Sequence, residues 1–328
     1  MIVKDMTIQD IWDAYRQTLD EVDEQILKDL SSPVPQIPAI GRYLVCGGKR
    51  LRPFLVILGA EISGYTGKYT KVLGSVIETI HTASLLHDDI VDDAVVRRGK
   101  PAAHSVWGNE VIVLVGDFMY SNALRIAVSL KSQKIMDTLS EATTRMTEAE
   151  LLQLSRIGDP SIVEDDYMQI VRGKTAALIS AACRMGPILS KGPSWQEEAL
   201  AGFGLKLGIA FQIADDLLDY KAAEDKLGKS LGKDLAEGKI TLPVIYLLRE
   251  ANPSEHSRVS SIIASDTLEE SDLDYIMGLF NKYGTLETSL ARAREIMEEA
   301  KAMLSDFPPS RAKDSLLAIA DYALYREH

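Results

Sequence analysis

The 328-residue chain is long enough for one large domain or two ordinary ones, and 46% hydrophobic with only 6% aromatic residues suits a helical protein with a sizeable core. A formal net charge of −12 excludes nucleic acid as a natural partner, because phosphate contacts need a basic face; a small phosphorylated ligand remains compatible with a local convergence of basic residues. Cys46 and Cys183 form neither a zinc motif nor a disulfide framework and predict a reduced, cytoplasmic setting, while the opening Met-Ile-Val-Lys-Asp-Met is unlike a signal peptide and no uninterrupted apolar run reaches about 18 residues, so no membrane span is expected.

Ile8, Ile11, Trp12, Tyr15, Leu19 and Val22 recur at helical spacing and predict an amphipathic helix over roughly residues 6–30. Pro33, Pro35 and Pro38 break it. A helix over roughly 38–46 then runs into Cys46-Gly-Gly-Lys-Arg-Leu-Arg-Pro53, a compact cationic turn. Its glycines let the backbone approach an anion that Lys49 and Arg52 can bind; a helix C-cap with ordinary surface basic residues accounts for it as well. Helices follow at roughly 54–64 and 68–92, and the second ends in His81-Thr-Ala-Ser-Leu-Leu-His-Asp-Asp-Ile-Val-Asp-Asp93. On a helix, Asp88 and Asp92 share a face about 6 Å apart along the axis, with Asp89 beside them and His81 two turns back. Carboxylates gathered at the end of an apolar helix repel one another and call for a cation.

A basic loop from Val95 to His104 follows directly, which places Arg97 and Arg98 near that cluster. Gly116 opens a predicted helix to about 131, and another spans roughly 133–156. Ser161 with Glu164 forms a capping-box pattern for a helix interrupted at Arg172-Gly-Lys-Thr-Ala176. Gly173 costs about 1 kcal/mol relative to Ala there; beside Lys174 and Thr175 it signals either a local opening toward a ligand or bulk packing. A helix from about 194 carries Phe211-Gln-Ile-Ala-Asp-Asp-Leu-Leu-Asp-Tyr220, where Asp215, Asp216 and Asp219 repeat the Asp-Asp-x-x-Asp spacing. One such triplet in an acidic protein is more often a solvated helix face. Two, each on an apolar helix, point to a shared metal site, and hard oxygen ligands without nearby cysteine suit Mg²⁺. A Gly/Lys loop then places Lys229, Lys233 and Lys239 after the second triplet; it lacks P-loop spacing and no strand precedes it. The rest is helical, no strand of useful length is evident, and the chain is expected to be one all-α domain over 1–328.

Gly47-Gly-Lys-Arg-Leu-Arg-Pro53, Glu78 through Asp92, Arg97-Arg-Gly99, Gly116-Asp117, Lys174-Thr175, Phe211 through Asp219, and Gly228-Lys229 through Gly238-Lys239 together resemble the trans-isoprenyl diphosphate synthases, or polyprenyl synthetases, over essentially the whole chain. The resemblance implies a single-domain antiparallel helix bundle around a deep apolar cavity, working as a homodimer. It implies that Asp88, Asp89 and Asp92 with Asp215, Asp216 and Asp219 hold about three Mg²⁺ ions on the diphosphate of an allylic substrate. Arg97, Lys174 and Lys229 would complete that clamp, with Lys239 close by. Lys49, Arg52, His81 and Arg98 would bind the diphosphate of isopentenyl diphosphate, and Thr175 and Gln212 would line the reaction centre.

The implied reaction is head-to-tail condensation of isopentenyl diphosphate onto the allylic diphosphate. Short-chain members of the family usually carry a bulky aromatic residue where Ala83 or Ser84 stands, five and four residues before Asp88. Both are small here, so the analogy implies medium or long all-trans products, about eight isoprene units. Met119, Tyr120 and Met146 are candidate floor residues. A shorter-chain farnesyl or geranylgeranyl diphosphate synthase and a non-catalytic regulatory subunit of a heteromeric synthase stay open as alternatives. A terpene cyclase or head-to-head synthase would not need a second diphosphate pocket of this form. The C-terminus holds Arg326 alone rather than a basic cluster, and no catalytic role falls on it.

Overall fold

The computed structural model describes residues 7–45, 48–97, 99–221, 232–265 and 267–325. Cys46, Gly47, Arg98, Gly228, Lys229 and Arg326 lie outside the described residues. In chain order the helices are α1 (Ile8–Asp29), α2 (Gln36–Val45), α3 (Leu51–Ile62) and α4 (Tyr69–Val91); a minimal hairpin of β1 (Val96–Arg97) and β2 (Lys100–Pro101) follows. Then come α5 (Ala103–Trp107), α6 (Asn109–Ser129), α7 (Gln133–Ser155) and α8 (Glu164–Val171), a π-helical turn at Arg172–Ala176, and α9 (Ala177–Ser190). The chain continues with α10 (Ser194–Lys221), α11 (Lys233–Ala236), α12 (Leu242–Glu250), α13 (Pro253–Ile263), α14 (Glu270–Tyr283), α15 (Thr285–Ala302) and α16 (Arg311–Tyr325). By internal packing it forms two compact units: residues 1–141 with 181–201 and 307–316, and residues 142–180 with 202–306 and 317–328.

In the first unit, Thr7 and Asp10 cap α1 reciprocally, and the helix buries Ile11, Tyr15, Leu19, Val22 and Ile26 along one stripe. α3 is buried on nearly every side from Pro53 to Ala60. It meets the segment after Ala181 at backbone contact: a Cβ on Gly186 would lie 1.9 Å from Gly59 O, and one on Gly59 would lie 2.6 Å from Cys183 O. Cys183 is fully buried, which pushes its thiol pKa far up and leaves it inert. α4 runs beside α1, α3 and, most extensively, α6.

α6 begins at Asn109, seven residues before the expected start at Gly116. Gly108, at φ +83, sits at the true N-terminus, and Gly116 is glycine for another reason. A Cβ there would stand 2.3 Å from His87 Nε2 on α4. Among the described residues α6 is the one helix long and apolar enough to cross a membrane by length and composition. Counting uninterrupted apolar residues missed it because Asp117 and Arg125 interrupt an otherwise apolar helix. Its packing along α4 makes it a core helix, with Leu114 and Val128 left exposed.

In the second unit, α12 is buried from Leu242 to Leu248 and packs on α13, α14 and α15. Tyr220, at the end of α10, meets Phe280 edge-on at 5.1 Å between centroids. The helix expected from Ser161 starts instead at Glu164. Ser161 is held by Asp159, whose Oδ1 accepts its N–H at 2.9 Å and its hydroxyl at 2.6 Å, and Asp166 Oδ2 accepts the Val163 N–H at 3.4 Å. The Ser161–Glu164 pattern is therefore a turn, not a capping box. The expected interruption at Arg172–Ala176 is present as the π-helical turn.

Candidate active site

Both aspartate triplets lie at helix C-termini, as their spacing predicts, and each divides in the same way. In the first, Asp88 and Asp92 are half-buried on the last turn of α4, while Asp89 is 4% exposed. Asp89 Oδ1 accepts from Arg97 Nε at 2.7 Å and from the Arg97 terminal nitrogen, so the hairpin that carries Arg97 is fastened to the helix it follows. Asp93 adopts φ +47 as α4 ends, and the Ala94 N–H returns to Asp89 O at 2.9 Å. Tyr43 holds the hairpin from the other side: its hydroxyl donates to Pro101 O at 2.7 Å, and its ring packs edge-on against Trp107.

In the second triplet, Asp215 is exposed, Asp219 half-buried and Asp216 buried. Asp216 Oδ2 accepts the Tyr167 hydroxyl at 2.6 Å and Oδ1 accepts Gln212 Nε2 at 2.7 Å; Gln212 Oε1 in turn accepts the Thr175 hydroxyl at 2.7 Å. This chain links α8, the π-turn and α10. Burial, reinforced by the charge of Asp234, pushes the Asp216 carboxyl up to about 8. Burial also raises Asp219 above its ordinary value, and Asp219 Oδ2 accepts the Asp234 N–H at 3.0 Å at the start of α11. Asp234 itself is pushed up to about 6 by burial and by Asp219.

The π-turn is wedged between two close approaches. A Cβ on Gly173 would lie 2.5 Å from both Ala149 Cβ and Arg145 O on α7, and a Cβ on Gly208 of α10 would lie 2.5 Å from Ala176 Cα. Packing therefore accounts for Gly173, and the widened turn carries half-buried Lys174 and buried Thr175 beside it. Lys174 Nζ rests between Gln153 Oε1 and Glu150 Oε2, both at 2.7 Å. Lys239 Nζ rests on Glu237 Oε2 at 2.8 Å. Every basic residue assigned to the allylic side that falls among the described residues, Arg97, Lys174 and Lys239, is thus seated on a carboxylate of the chain itself.

Lys49 is exposed, and Arg52 and His81 are half-buried; all three belong to the first unit. The loop bearing Lys49 is fixed by Trp12, whose indole N–H donates to Lys49 O at 2.7 Å. Ala83 and Ser84 differ: Ala83 has no exposed surface, whereas Ser84 is half-buried with its hydroxyl donating to His81 O at 2.9 Å. Met119 is 1% exposed, and Tyr120 and Met146 are half-buried.

Among the described residues no three His, Cys, Asp or Glu side chains converge as a closed metal site. The donors nonetheless fit a hard divalent cation. Each triplet presents its first and third carboxylates at i and i+4, and the second gathers carboxylates raised first by burial and then by one another's charge, which a bound cation would relieve. An open carboxylate face suits Mg²⁺, which keeps several waters and shares its shell with phosphate oxygens.

Tyr167, Asp234, Glu150 and Gln153 escaped the sequence reading. The last two carried a signal, being polar residues three apart on one face of an otherwise mixed helix. Asp234 stood in the open within the Gly/Lys loop. Tyr167 carried none, because its partner is 49 residues away.

The polyprenyl synthetase family model matches residues 34–280. The chain is 38% identical to octaprenyl diphosphate synthase of Escherichia coli (strain K12) over 323 residues, covering 98% of this chain and 100% of that one. It superposes with a TM-score of 0.92 on a decaprenyl diphosphate synthase from Rhodobacter capsulatus, at 37% identity over 97% and 98% of the two chains. A polyprenyl synthase from Caulobacter crescentus CB15, complexed with calcium and isoprenyl diphosphate, gives 0.91 at 36% identity over 99% of each. This chain belongs to the polyprenyl synthetase family and is a prenyltransferase of the all-helical isoprenoid synthase fold.

Proposed function

We propose that the chain is a Mg²⁺-dependent synthase that condenses isopentenyl diphosphate head-to-tail onto an allylic diphosphate, making a long all-trans polyprenyl diphosphate of about eight isoprene units by analogy with the octaprenyl relative. The observation that carries the reading is the shared burial pattern of the triplets: the middle aspartate of each is buried against a side chain of the protein, Arg97 or Tyr167, while the first and third keep solvent-accessible surface. Asp88, Asp92, Asp215 and Asp219 are accordingly assigned to the cation, and Asp89 and Asp216 hold those helix ends in place. When bound, Mg²⁺ supplies charge neutralisation for the diphosphate leaving group.

The chain's own residues do the rest. Arg97, Lys174 and Lys229, with Lys239, bind the allylic diphosphate; Lys49, Arg52, His81 and Arg98 bind the second. The allylic C–O bond breaks and its electron pair leaves with the diphosphate. The double bond of isopentenyl diphosphate attacks the allylic cation, and the proton lost from the adjacent carbon passes to the departing diphosphate. Thr175 and Gln212, fixed by their mutual hydrogen bond, present oriented dipoles at the reaction centre. For chain length, Ser84 has surface to offer a growing tail and Ala83 has none. We assign the exposed apolar face of α6, with Val113 at 40%, Leu114 at 67% and Val128 at 56% exposure, to a second copy in a homodimer.

The test is incubation of the purified chain with farnesyl diphosphate, isopentenyl diphosphate and Mg²⁺, with products sized by mass spectrometry. A ladder ending near eight units supports the reading. A stop at three or four units would keep the class and overturn the length. No elongation would overturn the proposal.

A further inference from the structure

The cationic turn after α2 contains three basic residues in four positions, and the middle one faces inward. Arg50 is 7% exposed, in contrast to exposed Lys49 before it. Its backbone adopts φ +50, one of four non-glycine positive values among the described residues, and follows Gly48 at φ +105. A β-carbon in the left-handed region is disfavoured, so the surrounding contacts must over-determine it. They do. Arg50 Nε donates to Asp23 Oδ1 at 2.6 Å and a terminal nitrogen to Asp23 Oδ2 at 3.3 Å, forming a fork on α1. The other terminal nitrogen donates to Glu78 Oε1 on α4 at 3.2 Å, and the guanidinium also donates to Val45 O at the end of α2. Glu78 is 5% exposed and lies three residues, less than one turn, before His81.

One guanidinium therefore ties three helices to the turn that carries Lys49 and opens the helix that carries Arg52, and its α4 partner shares a turn with His81. We propose that Arg50 is a positioning residue for the isopentenyl diphosphate site: it touches no substrate and sets the register of Lys49 and Arg52 against His81. Lysine keeps the charge but cannot fork onto Asp23 and reach Glu78 together. The proposal rests on the assignment of Lys49, Arg52 and His81 given above.

The experiment is steady-state kinetics of the full chain, varying isopentenyl diphosphate at saturating farnesyl diphosphate and then the reverse, for wild type, Arg50→Lys, Glu78→Gln and Lys49→Ala. Arg50→Lys is expected to raise KM for isopentenyl diphosphate about tenfold, the scale of a sub-ångström misplacement, and to leave KM for farnesyl diphosphate within about twofold. Glu78→Gln should move the same constant by less, and it decides the matter if Arg50→Lys melts below the assay temperature. Equal rises in both KM values, or a fall in kcat alone, would show a merely structural role and overturn the proposal. If Lys49→Ala raises KM for isopentenyl diphosphate while Arg50→Lys and Glu78→Gln leave it unmoved, the positioning role falls alone. If Lys49→Ala also leaves it unmoved, the assignment of the turn to that substrate falls, and Arg50 with it.

Discussion

Gly173→Ala separates the energetic role of the π-turn from its chemical role. Gly173 has an ordinary negative φ, so alanine meets no backbone penalty, and helix propensity alone would favour it by about 1 kcal/mol. Against that stand two contacts at 2.5 Å, one with Ala149 Cβ and one with the Arg145 carbonyl. Neither atom is the end of a flexible side chain, so the turn or α7 must move. Overpacking of this kind costs about 1–3 kcal/mol, which leaves a net loss of about 0–2 kcal/mol. Stability should therefore fall only modestly, by at most a few degrees in Tm. Turnover should fall far more. Gly173 adjoins Lys174, whose ammonium sits 2.7 Å from Glu150 and Gln153 on that same helix, and Thr175, which orients Gln212. A shift of about 1 Å there can cost up to about 100-fold in rate. The assay pairs differential scanning calorimetry with initial rates at saturating substrates. An alanine variant with unchanged Tm and turnover within twofold of wild type would refute the wedge.

Ser84→Phe is expected to shorten the product by placing a ring on the half-exposed face one turn below Asp88, whereas Ala83→Phe, at a position with no exposed surface, should mainly destabilise the chain by about 1–3 kcal/mol. Mass spectrometry of products beside thermal melts checks both; an unchanged distribution for Ser84→Phe would remove that residue from the gate. With Asp216 pushed up to about 8 and Asp234 to about 6, the folded chain holds more protons than the unfolded chain between their ordinary 3.8 and about 8. Stability without divalent cation should then fall as pH rises from about 5 to 8. Melting curves across that range would contradict this if the cation-free Tm were flat or rising.

What the sequence revealed tracks how local the physics is. The aspartate triplets were legible because i, i+1 and i+4 on a helix fix a geometry without any partner, and the π-turn because a glycine beside Lys174 and Thr175 breaks a helical run. Gly116 misled because glycine serves both as a helix boundary and as room for a neighbour, and only His87 on α4 tells which. The unequal standing of the three aspartates within each triplet was invisible, since Asp216 is set apart by Tyr167 and Asp89 by a hairpin too short to leave an alternating pattern. Arg50 looked like its neighbours Lys49 and Arg52. Its inward turn depends on Asp23 and Glu78, 27 and 28 residues away.

The seats that Arg97, Lys174 and Lys239 take on Asp89, Glu150 and Glu237 bear on how a substrate arrives. A chain of net charge −12 with these three cations already seated on carboxylates offers little long-range attraction to a free diphosphate, and at low ionic strength its field repels one. That repulsion fades beyond a Debye length of about 10 Å at 0.1 M salt. Encounter is then favoured for a diphosphate that has already shed much of its charge to a cation in solution. On the proposed reading, capture becomes an exchange of partners at Lys174 and Lys239, in which each ammonium leaves a carboxylate of the chain for a phosphate oxygen and is never stripped bare in between.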